Sequence, residues 1–121
     1  MLYCYQGGAS GYLKKNTIDA LWTASPITMA SKGVGPTTSG YGMGWAVAPA
    51  LELCGGVEPQ AFSVNHTGGA VGASSVLLIV PYESKEGPLS GVTVAITVNM
   101  QGIGLTRLAT DISKSFWNVR N

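Results

Sequence analysis

The residues with the most chemical potential form one short run, Asn65-His66-Thr67-Gly68-Gly69-Ala70. His66 is the single histidine of the chain, and imidazole normally changes charge near neutral pH. Small residues follow it closely. Where no bulky side chain intervenes, backbone amides can come close to a ligand. An amide so placed can donate to a developing oxyanion, as acyl-transfer chemistry requires. The same residues also fit a histidine satisfied at a strand end and followed by a plain hairpin. From the residues alone both readings stay open. Asn65-His66-Thr67 further matches the glycosylation acceptor pattern, a three-residue pattern that arises readily by chance.

Acyl transfer needs a nucleophile, and the chain offers no good one. No lysine stands three places after any serine, so Ser-x-x-Lys is absent, and Tyr-x-Asn does not occur. Gly72-Ala73-Ser74-Ser75-Val76 lacks the final glycine of a Gly-x-Ser-x-Gly elbow and runs into a strand pattern. Ser63 lies an odd number of places from His66, which in a strand puts the two on opposite faces. Asp19 and Asp111 fall on the solvated sides of predicted helices. No glycine-rich phosphate loop leads into a helix.

The totals narrow the class. The chain has 121 residues, 45% hydrophobic and only 11% charged, against about 25% charged in ordinary domains. So few charges imply that much of the surface is covered by something else. The net charge is +1 with no basic run, which argues against nucleic-acid binding. The longest apolar run, Val76 to Val80, is far short of the ~18 residues a membrane span needs. Cys4 and Cys54 are the only cysteines. They make neither a disulfide framework nor a zinc site, so both are expected to be packing residues. No metal and no cofactor is expected.

Several elements must position the 65–70 run. Residues 1–6 read as the tail of an extended element, and 7–11 as a flexible break. A helix is predicted over 14–24, capped by Asn16 or Thr17, with Ile18, Leu21 and Trp22 on one face. Pro26 should end it, and 26–40 reads as a loop. Residues 41–47 alternate large and small and predict one strand, with glycines inviting close backbone approach. After a loop over 48–60, a strand over 61–67 should end at His66-Thr67, and 68–72 should turn the chain. Residues 74–80 predict a strand buried on both faces. A polar stretch over 81–90 leads to a strand over 91–99, with Val92, Val94, Ile96 and Val98 on one face. The last element is a helix over 105–117, with a stripe of Leu105, Leu108, Ala109, Ile112 and Phe116. Short connections favour an antiparallel sheet backed by a helix, an α+β arrangement.

Two motifs carry a resemblance. Tyr41-Gly42-Met43-Gly44-Trp45 resembles the Tyr-Gly-x-Gly-Trp strand of the serine β-lactamase and penicillin-binding-protein superfamily, on its class C and esterase-like side. His66-Thr67-Gly68-Gly69 stands where that family has its Lys-Thr-Gly motif. Within the superfamily the chain is most similar to an animal branch that resides in mitochondria. The residues that carry this are Met1-Leu2-Tyr3, Tyr5-Gln6, Gly11-Tyr12-Leu13-Lys14, Trp22-Thr23, the run from His66 to Leu78, Asn99-Met100-Gln101 and Gly104-Leu105. The loops at 26–39 and 48–60 carry least of it.

The resemblance implies a partial β-lactamase/transpeptidase-like fold and the C-terminal part of a two-lobed hydrolase. Residues 1–40 would then be the end of the helical lobe and a loop, and 41–121 the sheet strands and closing helix. The family's nucleophilic serine, its lysine and its tyrosine motif would lie upstream, so Met1 is expected to be internal or the start of a truncated sequence. By carry-over, Thr67 and Gly68 shape the site strand, and the Gly69 N–H is the second oxyanion donor. His66 replaces the family's lysine. A histidine side chain, with a usual pKa of about 6.5, is mostly neutral at pH 7. Peptide or ester substrates therefore fit better than penicillin-like carboxylates. The resemblance also implies a role in mitochondrial lipid metabolism and, as an alternative, a homo-oligomeric, filament-forming or interaction role without catalysis. A small β-rich binding module is the third reading. The chain alone is expected to be inactive and poorly soluble.

Overall fold

The computed structural model describes residues 13–30, 40–50, 60–82 and 90–118. The expected extended piece at 1–6, the break at 7–11, both cysteines and much of the loops at 26–40, 48–60 and 81–90 lie outside these residues.

The first helix, α1 (Lys15–Leu21), is shorter than the expected 14–24. Lys14 holds the N-cap position in extended backbone without a side-chain cap. Asn16 and Thr17 lie inside the helix, so neither caps it. The Lys15 ammonium pairs with Asp19 one turn later at 2.7 Å, an exposed contact worth about 0.3–0.5 kcal/mol. Pro26 does not introduce a plain loop. It opens a second short helix, α2 (Pro26–Ala30), because the fixed φ of proline suits a first helical turn.

The single strand expected over 41–47 is two strands, β1 (Gly40–Tyr41) and β2 (Ala46–Ala48), paired antiparallel. Residues 42–45 turn between them. Gly42 N–H donates to the Trp45 carbonyl at 2.8 Å, and Gly44 N–H donates to the Gly42 carbonyl at 2.9 Å. The large–small alternation is real, but Gly44 at φ +80° folds the chain back. The expected close approach holds at Gly42. A Cβ there would lie 2.7 Å from the Leu21 carbonyl oxygen and 2.8 Å from that of Thr23. The turn is thus pressed on the end of α1. Gly42→Ala is expected to destabilise the chain by about 1–3 kcal/mol, the usual cost of overpacking. A urea midpoint equal to that of the parent sequence would contradict this.

The remaining strands are β3 (Ser63–Ala70), β4 (Ala73–Tyr82) and β5 (Ser90–Val98). With α3 (Thr106–Asn118) they complete an α+β arrangement. The sheet is antiparallel throughout, in the order β1-β2-β3-β4-β5. The expected turn at 68–72 is tighter than that. Only Val71 and Gly72 turn, with Ala70 opposite Ala73. Gly72 at φ +82° after a residue of negative φ matches a type II turn. His66 therefore lies inside β3, not at its end.

Each face of the sheet has its own core. On one face Ile18, Trp22, Trp45, Val47, Val64 and Ile79 cluster, with Phe62 and Leu77 packed against them. The other face joins Val76, Leu78, Val80 and Val94 to Leu105 and Ala109. β4, flanked by β3 and β5, feeds both cores, as its apolar run requires. Val92, Ile96 and Val98 share the second face as expected. The stripe on α3 is narrower than expected. Leu105, Ala109 and Ile112 pack on the sheet, but Leu108 and Phe116 are 50% and 61% exposed. The helix packs mainly on β4 and β5. Among the described residues no helix is long and apolar enough to cross a membrane.

Candidate functional site at the open edge of β3

The four site residues expected from the sequence follow one another along β3. His66 pairs with Leu77, Thr67 with Val76, Gly68 with Ser75 and Gly69 with Ser74. All four are exposed. Side chains alternate in a strand, so His66 and Gly68 share the face of Val64 and Ile79, where α1 packs. Thr67 and Gly69 lie on the face that carries α3. Four consecutive residues thus do not converge as side chains. What they share is an edge.

That edge is open. β2 pairs with β3 only at Ser63, Val64 and Asn65, so residues 66–70 meet no strand on that side among the described residues. The direction of each amide follows from the hairpin. Residues flanking a two-residue turn exchange both hydrogen bonds, and bonded pairs then alternate along the ladder. Ala70 is such a flanking residue. The amides of His66, Gly68 and Ala70 therefore point to β4. Those of Asn65, Thr67 and Gly69 point the other way. Asn65 meets β2, while the Thr67 and Gly69 N–H groups face open space.

The glycines have separate reasons. A Cβ on Gly68 would lie 2.5 Å from the Ser75 hydroxyl oxygen. Gly68 thus leaves room for the Ser75 side chain, which reaches over its Cα. A Cβ on Gly69 would meet nothing within 4 Å. No neighbour among the described residues demands a glycine there, but an incoming ligand would benefit from one.

Two supports of this strand carry no periodic signal in the sequence. Ser74, directly across from Gly69, is buried, and its hydroxyl accepts the Ile103 N–H at 3.3 Å. The Gln101 side-chain oxygen accepts the Gly72 N–H at 3.4 Å. The loop before α3 therefore braces the β3–β4 hairpin from the side away from the open edge. Only the tertiary fold brings these residues together. Ser74, the serine of the incomplete elbow, faces away from His66, whereas Ser75 shares its face. The register sets it diagonally from His66 on one face, but no hydrogen bond joins the two. Ser63 and His66 face opposite sides, as their spacing requires.

Over 131 aligned residues, 96% of this chain, the sequence is 37% identical to the mitochondrial serine beta-lactamase-like protein of Homo sapiens. The chain is thus similar to one part of a serine beta-lactamase-like protein. The same identity and share hold against the proteins of that name from Mus musculus and Bos taurus. The chain spans 23% of the length of each of these relatives. No family model matches it.

Proposed function

We propose that residues 66–69 form the sheet-side wall of a serine acyl-transfer centre that cleaves peptide or ester bonds. The observation that carries this is the outward amide of Gly69 on an unpaired strand edge, in a chain related to the serine beta-lactamase-like proteins. The Gly69 N–H would be one of the two oxyanion donors. His66, Thr67 and Gly68 would line the substrate along the same edge. The serine and lysine that complete the chemistry are absent from these 121 residues, and a longer protein containing this stretch would supply them. In that reading the chain is the C-terminal part of the hydrolase domain. A mitochondrial location belongs to the same proposal and rests on the names of the relatives.

Labelling with a fluorophosphonate tests the division of labour. The 121-residue chain is expected to stay unlabelled under conditions in which a longer protein carrying it reacts at its Ser-x-x-Lys serine. Covalent label on any serine of the short chain would overturn the proposal.

A further inference from the structure

The Gly69 amide stands on the least constrained stretch of its strand. Gly68 and Gly69 are adjacent, and glycine gives up more backbone freedom on ordering than any other residue. Gly69 faces Ser74 as a pair that exchanges no hydrogen bond, so neither its N–H nor its carbonyl is tied to β4. An oxyanion donor stabilises charge best when it is fixed before the reaction begins. Restraint from outside this ladder is therefore needed.

Residues behind the hairpin supply it. Ser74 is 5% exposed and lies directly across from Gly69, where the Cα atoms of an unbonded pair come within about 4.5 Å. On its other side its backbone pairs with Val98 of β5. Its hydroxyl accepts the Ile103 N–H at 3.3 Å, and the Gln101 side chain accepts the Gly72 N–H at 3.4 Å. Between Gln101 and Ile103, Gly102 at φ +75° turns the loop, so a side chain and an amide two residues apart both return to one hairpin. The loop thus grips the hairpin at Gly72 and Ser74, on both sides of Ala73, the partner of Ala70.

We propose that Ser74 and Gln101 are positioning residues for the Gly69 oxyanion donor, with the β5–α3 loop as a latch that fixes this amide before substrate arrives. The inference rests on the acyl-transfer role proposed above for residues 66–69. Neither side chain touches the substrate. With the latch closed, the tip of the hairpin is held to β5 and Gly69 keeps one orientation. With it broken, the turn and ladder still form, but the tip shifts and the two glycines sample several orientations. Both bonds are long and neither is fully buried, so they add little to global stability. Their effect is concentrated on the residues opposite Gly69 and Ala70.

Steady-state acylation by a longer protein that joins this strand to its serine provides the test. Ser74→Ala and Gln101→Ala are each expected to lower kcat about 10-fold with KM unchanged, since misplacement by ~1 Å can cost ~10²-fold. Gln101 is exposed, so its variant folds whatever Ser74→Ala does. Gln101→Glu keeps an acceptor and should retain the rate. Gly69→Ala should restore much of the rate lost in Ser74→Ala, because alanine keeps the donor and narrows the freedom that the latch otherwise restrains. In the Gly69→Pro background there is no donor to position, so adding Ser74→Ala should cost nothing more. A merely structural role predicts the same loss in both backgrounds and no rescue by Gly69→Ala. That result, or full rates in Ser74→Ala and Gln101→Ala, would overturn the latch, while slow acylation by Gly69→Pro would leave the oxyanion reading standing. Equal rates for Gly69→Pro and Gly69→Ala would overturn both.

Discussion

Gly69→Pro, placed in a longer protein that joins this strand to its serine, is expected to lower the acylation rate about 10²–10³-fold, the usual cost of removing one oxyanion donor. Proline deletes the N–H and little else here. That amide points away from β4, so the ladder keeps its bonds. A Cβ at this position meets nothing within 4 Å, so Gly69→Ala is the matched control. Alanine keeps the donor and should retain most of the rate. The loss should fall on kcat, because the donor serves the oxyanion more than the ground-state carbonyl. Single-turnover acylation of an activated ester by the two variants provides the measurement. Equal rates for proline and alanine would remove Gly69 from the chemistry.

The largest effect on stability is expected at Ile79. Its side chain is fully buried in the cluster of Ile18, Trp22, Trp45, Val47 and Val64, where β4 meets α1 and the β1–β2 turn. Truncation to alanine removes buried carbon and leaves a cavity, at a cost of about 2–5 kcal/mol. Against a typical total of ~5–15 kcal/mol, that is a large fraction. Val71, by contrast, is 97% exposed at the tip of the hairpin. Val71→Ala should change stability by less than ~0.5 kcal/mol. Urea unfolding of both variants compares them directly, and a cost at Ile79 no larger than at Val71 would refute the two-core description.

The strand-rich second half was legible because its pattern is strong. The apolar run from Val76 to Val80 and the alternation of Val92, Val94, Ile96 and Val98 fit only buried strands. Short connections then dictate antiparallel neighbours. The misreadings that alter the sheet concern turns. Residues 41–47 alternate as a strand would, but Gly44 takes a left-handed conformation that reverses the chain. Gly68 and Gly69 look like turn residues, yet both stay in β3 because Gly72 alone meets the conformational demand of the hairpin. Extending β3 in this way moved His66 from a strand end to mid-strand. The candidate site was legible as a run of residue types. Its openness was not, because it depends on where β2 stops, and that depends on the 42–45 turn. The bracing by Ser74 and Gln101 had no local signal, since each acts across a long sequence separation.

The strand order also has a kinetic meaning. Among the described residues every neighbour in this sheet is a neighbour along the chain, so none of these pairings must wait for a distant segment to diffuse into place. Such local topologies close small loops and fold faster than sheets built on long crossovers. The two-residue link between β3 and β4 is the shortest closure available. Hairpins of this kind form in about 1–10 μs, which makes it the natural nucleus. Growth from there can proceed outward in both directions, with α1 and α3 docking on opposite faces of a sheet already started. The segment that carries the Gly69 amide would then be among the first parts of the molecule to take shape.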